Sequence, residues 1–177
     1  MRTKVLKNQL ELFEGMEFKG VRAEAIRELV PAWRKTAVRT EQVGSKITCS
    51  EDAAKVFKAL VADDPYENFW TLFLDSQNQI IGVEKVARGT VSQASPHIRN
   101  IMAGALVSCA AAMICCHNHP SGNPKPSDED IEFTEKLVRA GEIIQIKLLD
   151  HVIIGNSLLG GTGLNGHYSL ADNGQIN

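Results

Sequence analysis

The chain has 177 residues, of which 44% are hydrophobic and 23% charged, so it can bury a core without disulfides or a structural metal. The formal net charge of −2 argues against a strongly basic protein that binds nucleic acid or a membrane surface. No apolar run approaches the roughly 20 residues of a membrane span, no secretory signal opens the chain, and four cysteines without framework spacing predict free thiols. We therefore expect a cytoplasmic protein.

The N-terminal part of the chain differs from the rest in its patterning. Residues 1–22 carry mixed charges with weak periodicity, and we expect a short arm there. The compact domain is predicted over 23–177. Its first element, over 23–35, is predicted to be an edge strand because Pro31 interrupts it.

Helices and strands alternate through the rest of the chain. A serine followed by acidic residues predicts the start of a helix at two places, Ser50 and Ser127. Gly141 is expected to end the second of these helices. In chain order we predict a helix over 50–62, strands over 67–75 and 79–86 paired as a hairpin, a helix over 97–111, a strand over 112–116, a helix over 127–141, and strands over 146–154 and 167–170. This mixture predicts an α/β sandwich with a mixed sheet.

The residues with the strongest chemical signal follow the apolar segment 112–116. His117 and His119 are two residues apart, so on an extended chain both imidazoles point to the same side and can bind one cation. Asp130 follows in the first turn of a predicted helix, after a loop rich in proline and glycine that can fold this turn back over the strand end. Two imidazoles and one carboxylate leave a fourth tetrahedral position for water, which is the arrangement of a catalytic zinc site.

Two further residues complete a candidate hydrolytic site. Glu84, polar between apolar neighbours on its strand, is the candidate base for a water whose pKa zinc lowers to about 7. To reach that water, the strand 79–86 is expected to lie next to the strand 112–116. Ser127 has two possible uses, since it can cap the helix and its hydroxyl can donate to an oxyanion.

This set resembles the JAMM metalloproteases, also called MPN-plus or JAB, whose pattern Glu…His-x-His-x7-Ser-x2-Asp is matched by Glu84, His117, His119, Ser127 and Asp130. The segments HNHPSGNPKPSDEDIEFTEKL and LLDHVIIG resemble the RadC-like branch, and the resemblance covers roughly residues 45–172. It implies a cytidine-deaminase-like three-layer α/β/α sandwich with a mixed central sheet, one zinc ion, and hydrolysis of peptide or isopeptide bonds. It also implies that the two histidines and Asp130 bind zinc, that Glu84 is the base, and that Ser127 steadies the tetrahedral intermediate.

Longer RadC proteins carry an N-terminal region that resembles helix-hairpin-helix DNA-binding motifs. Here about 45 residues precede the JAMM-like part, and they lack the paired glycine-containing hairpins. The chain's own residues therefore give no support to a role in DNA repair. The sequence leaves open whether the protein has a DNA or DNA-repair partner.

Several other polar residues have both a functional and a simpler interpretation. Cys115 and Cys116 are expected to pack in the core, because Cys116 faces away from the histidines. Asp150 and His151 can orient a ligand imidazole from behind, or can make ordinary hydrogen bonds within a strand. Arg88 can meet a substrate carbonyl, or can be a surface charge at a strand end.

Two functions of different classes follow from these residues. The first is a zinc peptidase that acts on a peptide or protein substrate, with an isopeptide bond possible. The second is a DNA-repair or mobile-element-associated accessory module that retains the metal site for binding or structure. A zinc deaminase is disfavoured, because deaminases need His/Cys/Cys ligands with a H-x-E or P-C-x-x-C signature. This chain has neither, since Cys115 and Cys116 are adjacent and precede the histidines. The sequence leaves the substrate and the oligomeric state open.

Overall fold

The computed structural model of the protein describes residues 46–61, 66–89, 96–155 and 166–176. The predicted arm over 1–22, its boundary at residue 23 and the predicted strand over 23–35 lie outside these residues. The described elements are α1 (Ser50–Val61), β1 (Asn68–Leu74), β2 (Ile80–Arg88), α2 (Ile98–Val107), β3 (Ala112–His119), α3 (Asp128–Ile144), β4 (Lys147–Gly155) and β5 (His167–Ser169). None of the described helices combines the length and the hydropathy needed to cross a membrane.

The five described strands form one mixed sheet in the order β2-β1-β3-β4-β5. β3 and β4 run parallel, and the other neighbouring pairs run antiparallel. β1 and β2 form the predicted hairpin. The Asp75 carboxylate accepts hydrogen bonds from the backbone N–H groups of Gln77 and Gln79 and so closes the hairpin turn.

Helices cover both faces of the sheet. α2 and α3 pack on one face and α1 packs on the other, each with its own cluster of buried apolar side chains. Side chains of β3 alternate between the two clusters, with Met113 and Cys115 on the α2/α3 face and Cys116 on the α1 face. The predicted three-layer α/β/α sandwich and the predicted packing of both cysteines are confirmed. Burial raises the pKa of Cys115 to about 12, which keeps this residue a neutral thiol.

The predicted position of the Glu84 strand is wrong in one respect. β1 lies between β2 and β3, so that Thr71 pairs with Glu84 on one side and with Cys115 on the other. The reason is burial: β1 is buried along almost its whole length, whereas every residue of β2 is half-buried or exposed. A strand that is apolar on both faces takes an interior place in the sheet, and the more polar strand takes the edge.

The predicted end of the last long helix is also wrong. α3 continues past Gly141 to Ile144 and ends where Gln145 adopts a left-handed conformation, with φ of 59°. Gly141 instead allows a close approach, because a Cβ atom there would lie 2.5 Å from the carbonyl oxygen of Ile146. This glycine serves the packing of the chain as it turns into β4.

Candidate metal centre

Both histidines lie on β3, which runs three residues beyond its predicted end. The extended backbone points the two rings the same way, and their Nε2 atoms lie 2.9 Å apart. His117 is buried and its ring stacks on Phe69 of β1, with 6.1 Å between centroids and 7° between planes. After the strand, the N–H of Gly122 donates to the carbonyl of His119 and starts the turn that leads to α3.

The first turn of α3 holds Asp130 through a reciprocal cap. The Asp130 N–H donates to Ser127 Oγ at 3.2 Å, and the Ser127 N–H donates to Asp130 Oδ2 at 2.8 Å. Ser127 Oγ also donates to Oδ2 at 2.6 Å. The other carboxylate oxygen, Oδ1, lies 3.2 Å from His117 Nε2 and is the oxygen available to bind a metal ion.

These elements bring the three predicted ligands together. The donor atoms of His117, His119 and Asp130 all lie within 4.8 Å of one another, and His119 Nε2 is 3.6 Å from Asp130 Oδ2. Ligands that bind one ion tetrahedrally at about 2.0–2.1 Å lie about 3.3 Å apart. His117 Nε2 lies 2.9 Å from His119 Nε2 and 3.2 Å from Asp130 Oδ1, and both distances are close to that value, so the group can bind a metal ion.

A hydrogen bond on the far side of His119 shows which of its ring nitrogens carries the proton. His119 Nδ1 lies 2.8 Å from the carbonyl oxygen of Asn123, which can only accept. Nδ1 is therefore the protonated nitrogen, and in the neutral ring Nε2 presents a lone pair toward Asp130 and the other histidine. Electron-rich atoms at this distance repel one another unless a cation, either a proton or a metal ion, lies among them. Imidazole and carboxylate donors suit zinc and other divalent transition ions.

The electrostatics of the group also favour positive charge. Burial by itself would raise the pKa of Asp130, but the close contacts with His117 and His119 hold it well below its usual range. Burial by itself would lower the pKa of His119, but the hydrogen bond and charge of Asp130 reverse this and raise it. An anionic carboxylate beside two imidazoles is thus the stable state of the group.

A fully buried histidine, His151 of β4, stands directly behind the metal group. Its Nε2 lies 2.9 Å from His117 Nδ1, and its Nδ1 lies 2.6 Å from the hydroxyl of Thr134 on α3. Burial lowers its pKa well below the ordinary value. The contact agrees with the orienting role considered for His151. Thr134 is absent from the predicted site, although it stands four residues after Asp130, a spacing that places both on one helix face.

Glu84 lies on the same face of the sheet as the metal group. Its pairing partner Thr71 contacts Cys115 Sγ at 3.6 Å, which fixes the face to which this row of side chains points. β2 and β3 are two strand spacings of about 4.8 Å apart. Glu84 is level with Cys115, two residues before His117, so it is displaced from His117 by about 7 Å along the strand direction. The Glu84 carboxylate rests against Gly104 of α2, and burial raises its pKa.

The other two residues with open interpretations make structural contacts. Asp150 accepts hydrogen bonds from Ser169 Oγ at 2.7 Å and from the Ala171 N–H at 3.0 Å, so it ties β4 to β5 and to the turn that follows β5. The Arg88 guanidinium lies over the ring of Tyr66, 4.6 Å from its centroid. The structure therefore gives both residues a packing role.

A family model described as RadC-like JAB domain matches residues 47–175, which include all five residues of the predicted site. The chain belongs to the RadC-like JAB family. Its relatives include proteins named UPF0758 from Desulforudis audaxviator (40% identical over 75% of this chain and 57% of the relative), Desulforamulus reducens (36%, 85% and 67%) and Methanosarcina mazei (38%, 78% and 59%). The chain thus spans between about half and two thirds of the length of these RadC-like relatives.

Proposed function

We propose that this RadC-like JAB domain is a zinc-dependent hydrolase that cleaves peptide or isopeptide bonds in a cytoplasmic peptide or protein substrate. The observation that supports the proposal is the convergence of lone pairs from His117, His119 and Asp130 at separations that suit a tetrahedral ion. Zinc held by such donors lowers the pKa of bound water to about 7 and polarises a carbonyl group.

Glu84 supplies the proton transfer in this proposal. It takes a proton from the attacking water and delivers it to the nitrogen of the leaving amine. Its position on the face of the metal group supports this role, as does a pKa that burial moves upward, toward neutral pH. Because β1 separates its strand from β3, the substrate and water bind between Glu84 and the histidines.

Ser127 acts first by positioning Asp130. Its hydroxyl carries one proton, which is donated to Asp130 Oδ2 at 2.6 Å. Donation to a substrate oxyanion, the role implied by the family resemblance, requires the hydroxyl to turn away from Asp130. Positioning of the carboxylate requires no such change.

The proposal is tested by metal analysis of the purified protein followed by a screen of peptide and isopeptide libraries. We expect about one zinc per chain, and Glu84→Gln should keep zinc content and melting temperature while hydrolysis falls at least about a hundredfold. Glu132→Gln is the matched control, because Glu132 is exposed on α3 and pairs with Lys136. His117→Ala should lose zinc without unfolding the domain, since the core does not need a metal.

Two results would contradict the proposal. Wild-type protein that contains no zinc and takes up none when it is added would overturn the metal site. The accessory-module alternative predicts zinc binding without hydrolysis, and partner or DNA binding that survives Glu84→Gln. Sequence-specific DNA binding that resists salt, with no cleavage across a broad library, would overturn the peptidase assignment.

A further inference from the structure

A line of buried hydrogen bonds runs from the metal group back into helix α3. His117 Nδ1 lies 2.9 Å from His151 Nε2, and His151 Nδ1 lies 2.6 Å from Thr134 Oγ1. Thr134 Oγ1 in turn lies 2.6 Å from the backbone carbonyl oxygen of Asp130. The three side chains are each at most 1% exposed, so water does not compete for these bonds. The line begins at one predicted ligand and ends at the backbone of another.

The number of protons that each group can donate determines which atom is the donor and which is the acceptor in each of these hydrogen bonds. A carbonyl oxygen only accepts, so the single hydroxyl proton of Thr134 is donated to Asp130 and the Thr134 oxygen accepts from His151 Nδ1–H. A neutral imidazole has one N–H, which leaves His151 Nε2 as an acceptor. His117 must then donate from Nδ1, and its Nε2 presents a lone pair to the metal group.

We propose that Thr134, acting through His151, is a positioning residue that holds the ligand His117 in the tautomer whose Nε2 can bind the metal. The inference rests on the metal site of the proposed function and adds to it a residue that touches neither metal nor substrate. Without the Thr134 oxygen, His151 Nδ1–H has no partner. His151 then favours the other tautomer, which donates from Nε2 to His117 Nδ1 and moves the His117 proton to Nε2, into the metal group.

The substitution Thr134→Val tests this directly, because valine keeps the shape and the β-branching of threonine and removes the hydroxyl. We expect zinc affinity, measured by competition with a chromophoric chelator, to fall at least about tenfold. Thr134→Ser keeps the hydroxyl and should bind zinc within about threefold of wild type. Zinc binding by Thr134→Val equal to wild type would overturn the inference.

A second background separates positioning from packing. In His151→Gln, the amide oxygen can occupy the place of Nε2 and accept from His117 Nδ1–H, with no tautomer to choose. We expect Thr134→Val to cause no further loss of zinc affinity in this background, whereas a packing role would persist. A full additional loss in the double variant would therefore also overturn the inference.

Imidazole nitrogen chemical shifts report the tautomers without any activity assay. In long-range proton–nitrogen correlation spectra of metal-free protein, His117 and His151 should both carry their proton on Nδ1, and His117 should move to Nε2–H in Thr134→Val. A wild-type spectrum with His117 protonated on Nε2 would contradict the proposed direction. Failure of wild-type protein to bind zinc would instead overturn the proposed function, since these spectra need no metal.

Discussion

The two oxygens of Asp130 have different tasks. Oδ2 accepts both the N–H and the hydroxyl of Ser127, while Oδ1 faces His117 Nε2. The residue that caps α3 is therefore the residue that fixes the carboxylate of the metal group. Helix start and metal site are coupled through a single side chain.

Removing the Ser127 hydroxyl should affect both functions at once. Ser127→Ala loses the cap and is expected to lower the free energy of unfolding by about 1 kcal/mol. It also frees Asp130 Oδ2, so zinc affinity should fall as well. Urea unfolding of metal-free protein measures the first effect and chelator competition the second.

Ser127→Thr is the matched control, because threonine keeps the hydroxyl and is also a good N-cap residue. It should lie close to wild type in both measurements. If Ser127→Ala loses stability but binds zinc as tightly as wild type, the carboxylate does not depend on the cap.

At the scale of whole elements, α2 positions Glu84 by lying very close to the sheet. Gly104, in the middle of this helix, has the Glu84 carboxylate against it, and a Cβ atom there would lie 2.7 Å from Phe73 Cζ. Glycine normally weakens a helix interior by about 0.5–1 kcal/mol relative to alanine. Its presence here is explained by the close approach of the helix to β1 and β2.

Gly104→Ala should therefore destabilise the protein instead of stabilising it. Overpacking of this kind costs about 1–3 kcal/mol, which exceeds the gain in helix propensity. The same methyl group should displace the Glu84 carboxylate and lower hydrolysis. Urea unfolding and the peptide assay measure these two effects.

Ala103→Gly, at an exposed position of the same helix, reports the ordinary propensity effect alone and should lose about 0.5–1 kcal/mol without changing activity. An increase in stability on Gly104→Ala would show that α2 can move away from the sheet at no cost.

At the scale of the whole molecule, the interior of the sandwich holds a histidine that cannot readily be protonated. Burial lowers the pKa of His151 in the folded protein, whereas in the unfolded chain it titrates near its ordinary value of about 6.5. Below that pH the unfolded chain binds more protons than the folded one. The contribution of His151 to stability is thus present above pH of about 6.5 and is lost as the pH falls, by up to about 1.4 kcal/mol per pH unit.

Metal-free wild type should therefore lose more stability than His151→Gln when the pH falls from about 7.5 to about 5.5, because glutamine does not titrate. The raised pKa of His119 acts in the opposite direction, but His119 is present in both proteins and its effect cancels in the comparison. Urea unfolding at the two pH values gives the difference. Equal losses in the two proteins would mean that His151 is protonated without unfolding.

Much of the fold and of the site can be read from residues that are close together in the sequence. The hairpin, the helix start at Ser127 and the extended His117-x-His119 pair follow from short-range patterns, and each appears in the structure. Side chains two apart on a strand share a face, and a serine with an acid three residues later forms a reciprocal cap. These relations depend on local backbone geometry, so the sequence by itself determines them.

The tertiary structure alone decided the order of the strands and the contacts behind the metal group. β1 takes its place between β2 and β3 because burial on both faces selects the interior of the sheet, a competition among all the strands. Thr134 and His151 are 17 residues apart and meet at 2.6 Å only because α3 packs across β4. Such contacts depend on how separate surfaces pack over long sequence distances, and no local pattern encodes them.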